Sequence, residues 1–359
     1  MAAQPVLCKK VLLCGYYGEH NLGDDALLAV LLGQLPPDQV PVVTAHDQAQ
    51  VEACFAVATC PRRNLRAVLR ALGGCDAVVL GGGSLLQDAT SFNSLLYYVA
   101  LIVAARLQGK PVLLWGQGLG PLRRRRSWAL VRMVLPLASG ISWRDPDSAA
   151  LAARWGVHAP IGTDPVWGLP PQPWTGAGGP IILCWRQSPL LDQGRWLVLL
   201  AALDQLAEQG GRPVHWLPFH LDQDRGLLEE LDRRGWLPAR LASRSSLVEV
   251  SSPEAAQAWF AGAGLVIAMR LHGLILAALS GAPCAALSYD PKVRSAAEGI
   301  GCPCVDLHEP LVAERLCESW LGLLDRPTDS AAIQRQRQGT HVHRALLVQG
   351  LVSPPTALP

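Results

Sequence analysis

The stretch that decides the fold is residues 11–34, VLLCGYYGEHNLGDDALLAVLLGQ. Four apolar residues at 11–14 come first and are typical of a buried β-strand. A polar segment with three glycines follows, and apolar residues then recur at the spacing of a helix near 24–34. A strand, a glycine-rich turn and a helix in this order predict the first half of a βαβ unit.

The same alternation continues through the first half of the chain. Predicted strands lie at 11–14, 42–44, 77–80, 112–115 and 141–143, and predicted helices lie near 24–34, 62–72, 92–108, 127–139 and 147–155. Strands and helices at this spacing form parallel sheets with helices on both faces, joined by right-handed crossovers. We therefore expect a doubly wound parallel sheet in residues 1–168.

A segment rich in proline and glycine interrupts the rhythm at residues 168–180, GLPPQPWTGAGGP, and predicts a linker over 169–180. Strand-like runs then return at 181–185, 214–217, 265–268 and 284–288. The sequence thus predicts an α/β fold of two Rossmann-like domains facing each other across a cleft. We expect an N-terminal domain at 1–168, a C-terminal domain at 181–350 and a tail at 351–359. Ligands of such sheets bind beyond the carboxyl ends of the strands.

The composition limits the class of protein. Half of the 359 residues are apolar and 17% are charged, which suffices for two cores and argues against disorder. The net charge of +2 predicts no nucleic-acid partner. The ten cysteines, Cys8 among them, lack metal-binding spacings, so we expect reduced thiols and no metal site. We find no secretory signal, and the apolar run at 95–105 is short of the ~18 residues of a spanning helix, so we expect a soluble cytoplasmic protein.

Glycine-rich segments follow three predicted strands of the first half, at 15–25, 81–88 and 116–121. Glycine lets the backbone approach a ligand or a facing helix, and a helix N-terminus offers N–H groups to an anion. We expect these segments to form a ligand-lined rim. The candidate residues are Tyr16, Gly18, Asn21, Gly23, Gly82, Gly83, Gln87 and Gln117. For Asn21, Asp24 and Asp25, simple helix capping is the alternative.

Charged residues follow several other predicted strands. Arg144 ends the fifth strand beside Asp145, where a structural ion pair is the alternative to a binding role. Arg186 and Lys292 follow strands of the second half and supply cations to the same edge of the predicted sheet.

The most informative segment is residues 268–273, AMRLHG, at the junction of a strand with a helix over 271–280. Arg270 supplies a fixed cation, His272 a titratable group, and the helix its free N–H groups. Together they suit an anionic substrate whose reaction needs proton transfer. A core histidine beside a surface arginine is the alternative.

These segments together resemble the polysaccharide pyruvyl transferase family, especially its bacterial cell-surface-anchoring branch (the CsaB type). The matching blocks, in order from residue 15 to 293, are GYYGEHNLGDDALL, GGGSLLQD, GQGLGPL, ISWRDPDS, TDPVW, LPFH, MRLHGLILAAL and SYDPKV. The chain departs from the family pattern at Asp25, Ser84, Trp115 and Trp143.

The resemblance implies a fold like that of the two-domain GT-B glycosyltransferases, with phosphoenolpyruvate as donor. It implies as acceptor a lipid-linked oligosaccharide bearing N-acetylmannosamine, in a cell-wall polymer that retains surface-layer proteins. It also implies that the Arg-Leu-His element, here Arg270, Leu271 and His272, binds the donor.

Forming a pyruvate ketal requires a site that holds two anionic groups and moves protons. We expect Arg270 with Arg186 or Arg144 to hold the donor, aided by Lys292 and the amide of Leu271. His272 is the expected general acid. The candidates for a base, or for a group that holds the sugar, are Asp24, Asp88 and Asp164. This chemistry requires no metal or organic cofactor.

Two rival functions share this fold. One is a GT-B glycosyltransferase that uses a nucleotide sugar, and the other is a catalytically silent protein that binds a sugar polymer. A further open question is the run Arg123–Arg126, RRRR, after the third glycine segment. It is compatible with the pyrophosphate of a lipid carrier or with peripheral contact to an anionic membrane, and also with a solvated loop before a helix.

Overall fold

The computed structural model describes residues 9–89 and 91–352, so Cys8 and positions 353–359 of the predicted tail lie outside the described residues. The described residues form two compact units. The first contains Leu27–Gly168 together with the described parts of Met1–Glu19 and Arg337–Pro359, and the second contains His20–Ala26 and Leu169–Gln336.

Thirteen strands occur among the described residues. They are β1 Lys9–Tyr17, β2 Gln39–Ala45, β3 Ala58–Pro61, β4 Ala77–Leu80, β5 Gly83–Leu86, β6 Val112–Leu119, β7 Gly140–Trp143, β8 Ile181–Cys184, β9 Val214–Trp216, β10 Ser245–Leu247, β11 Leu265–Ala268, β12 Cys284–Ser288 and β13 Cys304–Asp306.

The α-helices lie between these strands and after the last of them. They are α1 Leu22–Gln34, α2 Gln48–Phe55, α3 Leu65–Gly73, α4 Phe92–Leu107, α5 Arg125–Val134, α6 Pro146–Ala153, α7 Gln193–Gly210, α8 Leu221–Asp224, α9 Leu227–Arg233, α10 Ala239–Arg244, α11 Pro253–Ala261, α12 Leu271–Leu279, α13 Pro291–Gly299, α14 Ala313–Leu321, α15 Ser330–Gly339 and α16 His341–Val352.

The first unit is built on a parallel sheet with the order β3-β2-β1-β4-β6. Strands β4 and β5 pair with successive parts of β6. The last pair of β4 is Leu80 with Leu114, and the first pair of β5 is Gly83 with Gln117. Strand β7 pairs with the other side of β6. All of these pairings are parallel, as the alternation of strands and helices predicts.

Two of the glycine-rich segments differ from the loops that the sequence predicts. Residues 83–86 form β5, and β6 runs on through 116–119 to Leu119. The glycines in these strands allow close packing inside the unit: a methyl group on Gly116 would lie 2.2 Å from the Pro165 ring, and one on Gly118 would lie 2.5 Å from Ser84 Oγ. Trp115 and Trp143, at which the chain departs from the family pattern, are fully buried in this unit.

The second unit contains a parallel sheet with the order β10-β9-β8-β11-β12-β13. The chain order reverses between β8 and β11, which makes their carboxyl ends the topological switch point where such sheets bind ligands. Its core includes four buried tryptophans, which are Trp185, Trp196, Trp216 and Trp320. Two parallel α/β sheets confirm the predicted fold class.

Residues 169–180 are packed against the second unit instead of forming a separate linker. Gln172 N–H donates to Leu279 O at 3.0 Å, Thr175 N–H donates to Ala261 O at 2.8 Å, and Trp174 Nε1 donates to Ala263 O at 2.8 Å. The prolines and glycines therefore mark an ordered segment in which the backbone approaches its neighbours closely.

The end of the chain also differs from the predicted division, which assigned all of 181–350 to the C-terminal domain. Helix α16 packs on β6 and β7 in the first unit. Its side chain His343 is fully buried, with Nδ1 2.8 Å from Ser142 Oγ and Nε2 2.8 Å from Thr163 O. A carbonyl only accepts, so Nε2 carries the proton and Nδ1 accepts from the Ser142 hydroxyl. Among the described residues, none of the helices has the length and apolar character needed to span a bilayer.

Burial lowers the pKa of His343, and the Thr163 carbonyl and the Asp164 carboxylate oppose this only in part. A neutral native imidazole whose pKa lies below the unfolded value contributes stability that is present above about pH 6.5 and lost as the pH falls. We expect the free energy of unfolding to fall as the pH is lowered from 7.5 to 5.5, and to fall more steeply in the natural protein than in His343→Gln. The difference between the two slopes should be up to about 1.4 kcal/mol per pH unit. Urea unfolding at both pH values measures this difference. Equal slopes in the two proteins would contradict it.

Candidate active site

Strand β11 and helix α12 create the central feature of the second unit. Four buried apolar residues form β11, and α12 is buried along most of its length because its sequence, LHGLILAAL, is apolar on nearly all sides. Arg270 is the N-cap residue of α12, so the first N–H groups of the helix face the carboxyl end of the sheet without intrahelical partners. This is a favourable place for an anion.

Arg270 is held by a carboxylate that the sequence analysis left without a role. Its Nε and Nη2 donate to the Asp224 carboxylate at 3.0 and 2.5 Å, and Nη2 also donates to Gln223 Oε1 at 3.1 Å. Asp224, 4% exposed, accepts in addition from the backbone N–H groups of Phe219 and His220. The bidentate contact of Arg270 is thus made to Asp224 and is not open to a ligand. The signal available in the sequence was an aspartate four residues after LPFH.

Among the described residues, the hydrogen bonds of Arg270 leave its Nη1 unused. The ion pair therefore fixes the plane of the guanidinium group and leaves one nitrogen for a substrate. Removing either partner would leave a charge with little access to water.

His272 lies against the early segment His20–Ala26, which groups with the second unit. A methyl group on Gly23 would lie 2.1 Å from His272 Nδ1, so any larger residue at this position would force the imidazole or the segment to shift. Two backbone hydrogen bonds hold the segment: Leu22 N–H donates to Phe219 O and Leu221 N–H donates to His20 O, both at 3.0 Å.

Asn21 and Asp24 belong to this same segment. The Asn21 side chain accepts from Gly23 N–H at 3.1 Å and donates to the Asp24 carboxylate, an arrangement that shapes the first turn of α1. These residues therefore cap and shape the first turn of α1, and Gly23 between them is the residue that contacts His272. We name the group Asn21, Gly23, Asp24, His220, Asp224, Arg270 and His272 the switch-point cluster.

Two further predicted cations follow the strands on either side of β11. Arg186 comes two residues after Cys184, which pairs with Ala268, so Arg186 and Arg270 follow matched positions of neighbouring strands. Arg186 Nη1 donates to Tyr289 Oη at 3.3 Å, and its guanidinium lies 5.2 Å from the Tyr289 ring centre. Lys292 lies in the first turn of α13, where its N–H donates to the capping residue Asp290 at 2.9 Å. Three cations at adjacent strand ends can hold an anionic ligand.

In the first unit, Arg144 and Asp164 are paired with each other. Arg144 is 8% exposed, and its Nη1 lies 3.1 Å from Asp164, its Nη2 3.2 Å from Ser84 Oγ and its Nε 3.7 Å from Asp145. Asp164 also accepts from Val166 N–H at 3.0 Å. This engagement favours the structural ion pair over the predicted donor-binding and basic roles, and Asp164 is a closer partner than Asp145.

Asp88 holds the start of α5. It accepts from the backbone N–H of Arg123 at 2.7 Å, the backbone N–H of Arg124 at 2.9 Å and the Ser127 hydroxyl at 2.7 Å. Burial opposes ionisation of Asp88, but these hydrogen bonds outweigh it and lower the pKa of the carboxyl. A carboxylate stabilised in this way is a weak base, so the geometry favours a structural role over the predicted catalytic one.

The predicted acceptor residues of the first unit are engaged within that unit. Gln117 is 1% exposed and its Nε2 donates to Leu80 O and Gly81 O, both at 3.0 Å, which argues against contact with an acceptor. A methyl group on Gly82 would lie 2.7 Å from Leu27, so Gly82 serves packing against α1.

The remaining candidates of this unit include two glycines, Gly18 and Gly83, in left-handed conformations, with φ of 70° and 91°. Tyr16 is exposed and stacks under Arg62 at 4.2 Å, and Gln87 accepts from Ala89 N–H at 2.6 Å.

A cavity of about 610 Å³ in the first unit is lined by residues at the amino end of β7, including Gly140 and Ile141. That is the opposite end of the strand from the one where parallel sheets bind ligands. Among residues 9–89 and 91–352, no group of three or more His, Cys, Asp or Glu side chains is arranged to hold a metal ion.

A family model described as polysaccharide pyruvyl transferase matches residues 21–291, a span that contains the whole switch-point cluster. None of the curated proteins matches this sequence.

Several solved structures share the fold at low identity. A putative UDP-N-acetylglucosamine 2-epimerase from Listeria monocytogenes is 14% identical with a TM-score of 0.60, over 95% of both chains. Alr3699/HepE from Anabaena, in complex with UDP-glucose, is 13% identical with a TM-score of 0.59, over 96% of this chain and 100% of that one. MurG from Acinetobacter baumannii is 13% identical with a TM-score of 0.51, over 95% and 99%. These similarities establish a GT-B-like fold.

The contact between Gly23 and His272 generates a prediction with a matched control in the same helix. Gly23→Ala should destabilise the protein by about 1–3 kcal/mol, because its methyl group overlaps the imidazole. Gly33→Ala, which meets no atom within 4 Å, should instead stabilise α1 by up to about 1 kcal/mol. Urea unfolding of both variants tests the contact. Stabilisation by Gly23→Ala would show that the close approach does not exist.

Proposed function

Because the chain belongs to the polysaccharide pyruvyl transferase family, we propose that it transfers the pyruvyl group of phosphoenolpyruvate to two hydroxyls of a sugar, forming a ketal and releasing phosphate. The observation that carries this proposal is the switch-point cluster. It combines a guanidinium held by Asp224, an imidazole and free helix N–H groups inside the span that the family model matches.

The donor carries a carboxylate and a phosphate, and the switch-point cluster together with Leu271, Arg186 and Lys292 offers complementary groups for both. Nη1 of Arg270 and the N–H of Leu271 at the start of α12 suit one anionic group. Arg186 and Lys292, which follow the neighbouring strands, suit the other. We leave Arg144 out of this set because its guanidinium group bonds to both Asp164 and Ser84.

The reaction needs two proton transfers and no change of oxidation state. The methylene carbon of phosphoenolpyruvate gains a proton from an acid while one sugar hydroxyl adds to the adjacent carbon, and the proton of that hydroxyl returns to the same acid. The bond from that carbon to the phosphate oxygen then breaks, and a second hydroxyl adds and gives its proton to the released phosphate. We assign the first protonation to His272, since an imidazole can donate and then recover a proton near neutral pH.

Of the three predicted carboxylates, Asp24 is the one we assign to the acceptor. Asp88 and Asp164 are engaged in hydrogen bonds that hold the first unit. Asp24 lies in the same segment as Gly23, which contacts His272. A carboxylate there would orient a sugar hydroxyl and stabilise positive charge on the ketal carbon.

For the acceptor we propose N-acetylmannosamine in a lipid-linked cell-wall oligosaccharide, with the reaction in the cytoplasm. The support for this choice is the resemblance of the sequence blocks to the cell-surface-anchoring branch. No organic cofactor or metal takes part in the proposed chemistry.

The central test of this function is the effect of His272→Ala on turnover. Phosphate release from phosphoenolpyruvate in the presence of an N-acetylmannosamine-bearing acceptor should fall on the order of a hundredfold, because the general acid is lost. The matched control is His341→Ala, an exposed histidine of α16, which should retain full activity. Unchanged turnover in His272→Ala, with the ketal detected by mass spectrometry, would remove His272 from this role.

A second candidate function is a glycosyltransferase that uses a nucleotide sugar, since HepE, solved with UDP-glucose, shares the fold. Thermal unfolding with each ligand separates the two. Phosphoenolpyruvate at a concentration well above its Kd should raise the melting temperature by about 5 °C and UDP should not. Arg186→Gln should lose the shift, and Arg225→Gln, at an exposed arginine paired with Glu249, should keep it. A shift with UDP alone would favour the glycosyltransferase, and no shift with either ligand would favour a silent sugar-binding protein.

A further inference from the structure

The distribution of charge along the sequence is uneven in one place. From residue 89 to residue 144 the chain has eight Lys or Arg residues and no Asp or Glu. The whole chain has 31 basic and 29 acidic residues, so the rest has 23 and 29 and is net negative. The positive region comprises α4, α5 and the strands beside them, all in the first unit.

Half of these cations are Arg123, Arg124, Arg125 and Arg126, and all four are exposed. Ion pairs among the described residues do not involve any of them, whereas two exposed arginines of the second unit, Arg225 and Arg240, are paired with carboxylates. Asp88 fixes the backbone of this run through the N–H groups of Arg123 and Arg124. The arginines are therefore displayed from an anchored turn. The carboxylate beside them, Asp88, is 4% exposed and binds their backbone N–H groups and not their guanidinium groups.

Helix α4 lies directly beside this run. Arg126 and Arg124 have their guanidinium groups 3.8 and 5.7 Å from the Phe92 ring centre, at the start of α4. At its other end, Arg106 Nη1 donates to Ser139 Oγ, beyond the end of α5, at 3.2 Å. The two helices therefore run side by side in the same direction, with the arginines at their shared amino ends.

The outward face of α4 is apolar, which is unusual for a helix in contact with water. Leu96 and Leu107 are 39% and 83% exposed, and Ala100 and Val103, between them on the same face, are half-buried. Arg106 is the only charged residue of this helix. On the neighbouring helix α5, Met133 is 67% exposed.

We propose that this surface, which consists of the outward face of α4 and Arg123–Arg126 and which we name the α4–α5 surface, binds the protein to an anionic membrane. A helix of 16 residues is about 24 Å long and can lie along the interface with its apolar face among the acyl chains. The arginines at its end meet anionic lipid head groups, and the missing carboxylates remove the repulsion that an ordinary surface would offer. A nucleic acid would use the arginines but would have no use for the apolar face.

This membrane contact does not depend on the proposed reaction, so its test needs neither phosphoenolpyruvate nor a sugar. The full chain is sedimented with vesicles of phosphatidylcholine containing about 30% phosphatidylglycerol, and with pure phosphatidylcholine vesicles, at low salt. The partition coefficient should be on the order of a hundredfold higher for the anionic vesicles.

Two variants with the same net charge distinguish binding through the α4–α5 surface from binding through the overall charge of the protein. One carries Arg123, Arg124, Arg125 and Arg126 changed to Gln, and the other carries the exposed Arg244, Arg315, Arg326 and Arg335 of the second unit changed to Gln. Each changes the formal charge from +2 to −2. The first should lose binding by about a hundredfold, and the second should stay within about threefold of the natural protein.

A third variant, Leu96→Gln with Leu107→Gln, tests the apolar part. It should lose the binding that remains at about 0.5 M salt while keeping binding at low salt, because screening weakens only the electrostatic part. Unchanged unfolding midpoints in urea would exclude a folding defect in each variant. Equal loss in the two arginine variants, absence of vesicle binding, or binding of an RNA duplex in place of vesicles would each overturn the proposal.

Discussion

The geometry of the second unit depends on the buried ion pair between Asp224 and Arg270. Asp224 follows β9 and Arg270 follows β11, and these strands lie on opposite sides of β8. One carboxylate therefore ties together the strand ends on either side of β8, next to the switch point, through two bonds to the guanidinium and two to backbone N–H groups. Full hydrogen bonding makes the burial of both charges tolerable. Because the guanidinium plane is fixed, a substrate group approaching α12 meets a positively charged nitrogen whose position is already set.

The second constraint is the absence of a side chain at Gly23. The first turn of α1 lies so close to His272 that a single methyl group on Gly23 would overlap the imidazole. The segment His20–Ala26 thus belongs to the second unit in its contacts although it lies about 250 residues earlier in the chain than α12. This explains why sequence blocks near both ends of the matched span, residues 21–291, are needed to build one cluster.

Much of the fold could be predicted from local patterns, because buried parallel strands are short apolar runs bounded by turns. The predicted strands at 77–80, 265–268 and 284–288 have the bounds that the structure has. The three-residue edge strands β10 and β13 carry too few residues for a pattern and were not predicted. Glycine at 116 and 118 predicts a loop from sequence alone, whereas the structure uses it for close packing inside β6.

Only those residues of the candidate site that come directly after a predicted strand could be predicted from the sequence. Arg270, His272 and Arg186 were found in this way. The pairings Arg270–Asp224 and Arg144–Asp164 span 46 and 20 residues, and no local spacing reveals such partners. Asp88 binds main-chain amides at positions 123 and 124, so the turn keeps its shape with any side chain there except proline. Relatives of this chain could therefore gain or lose arginines at these positions, and so adjust to membranes of different lipid content, without any need to redesign the protein beneath.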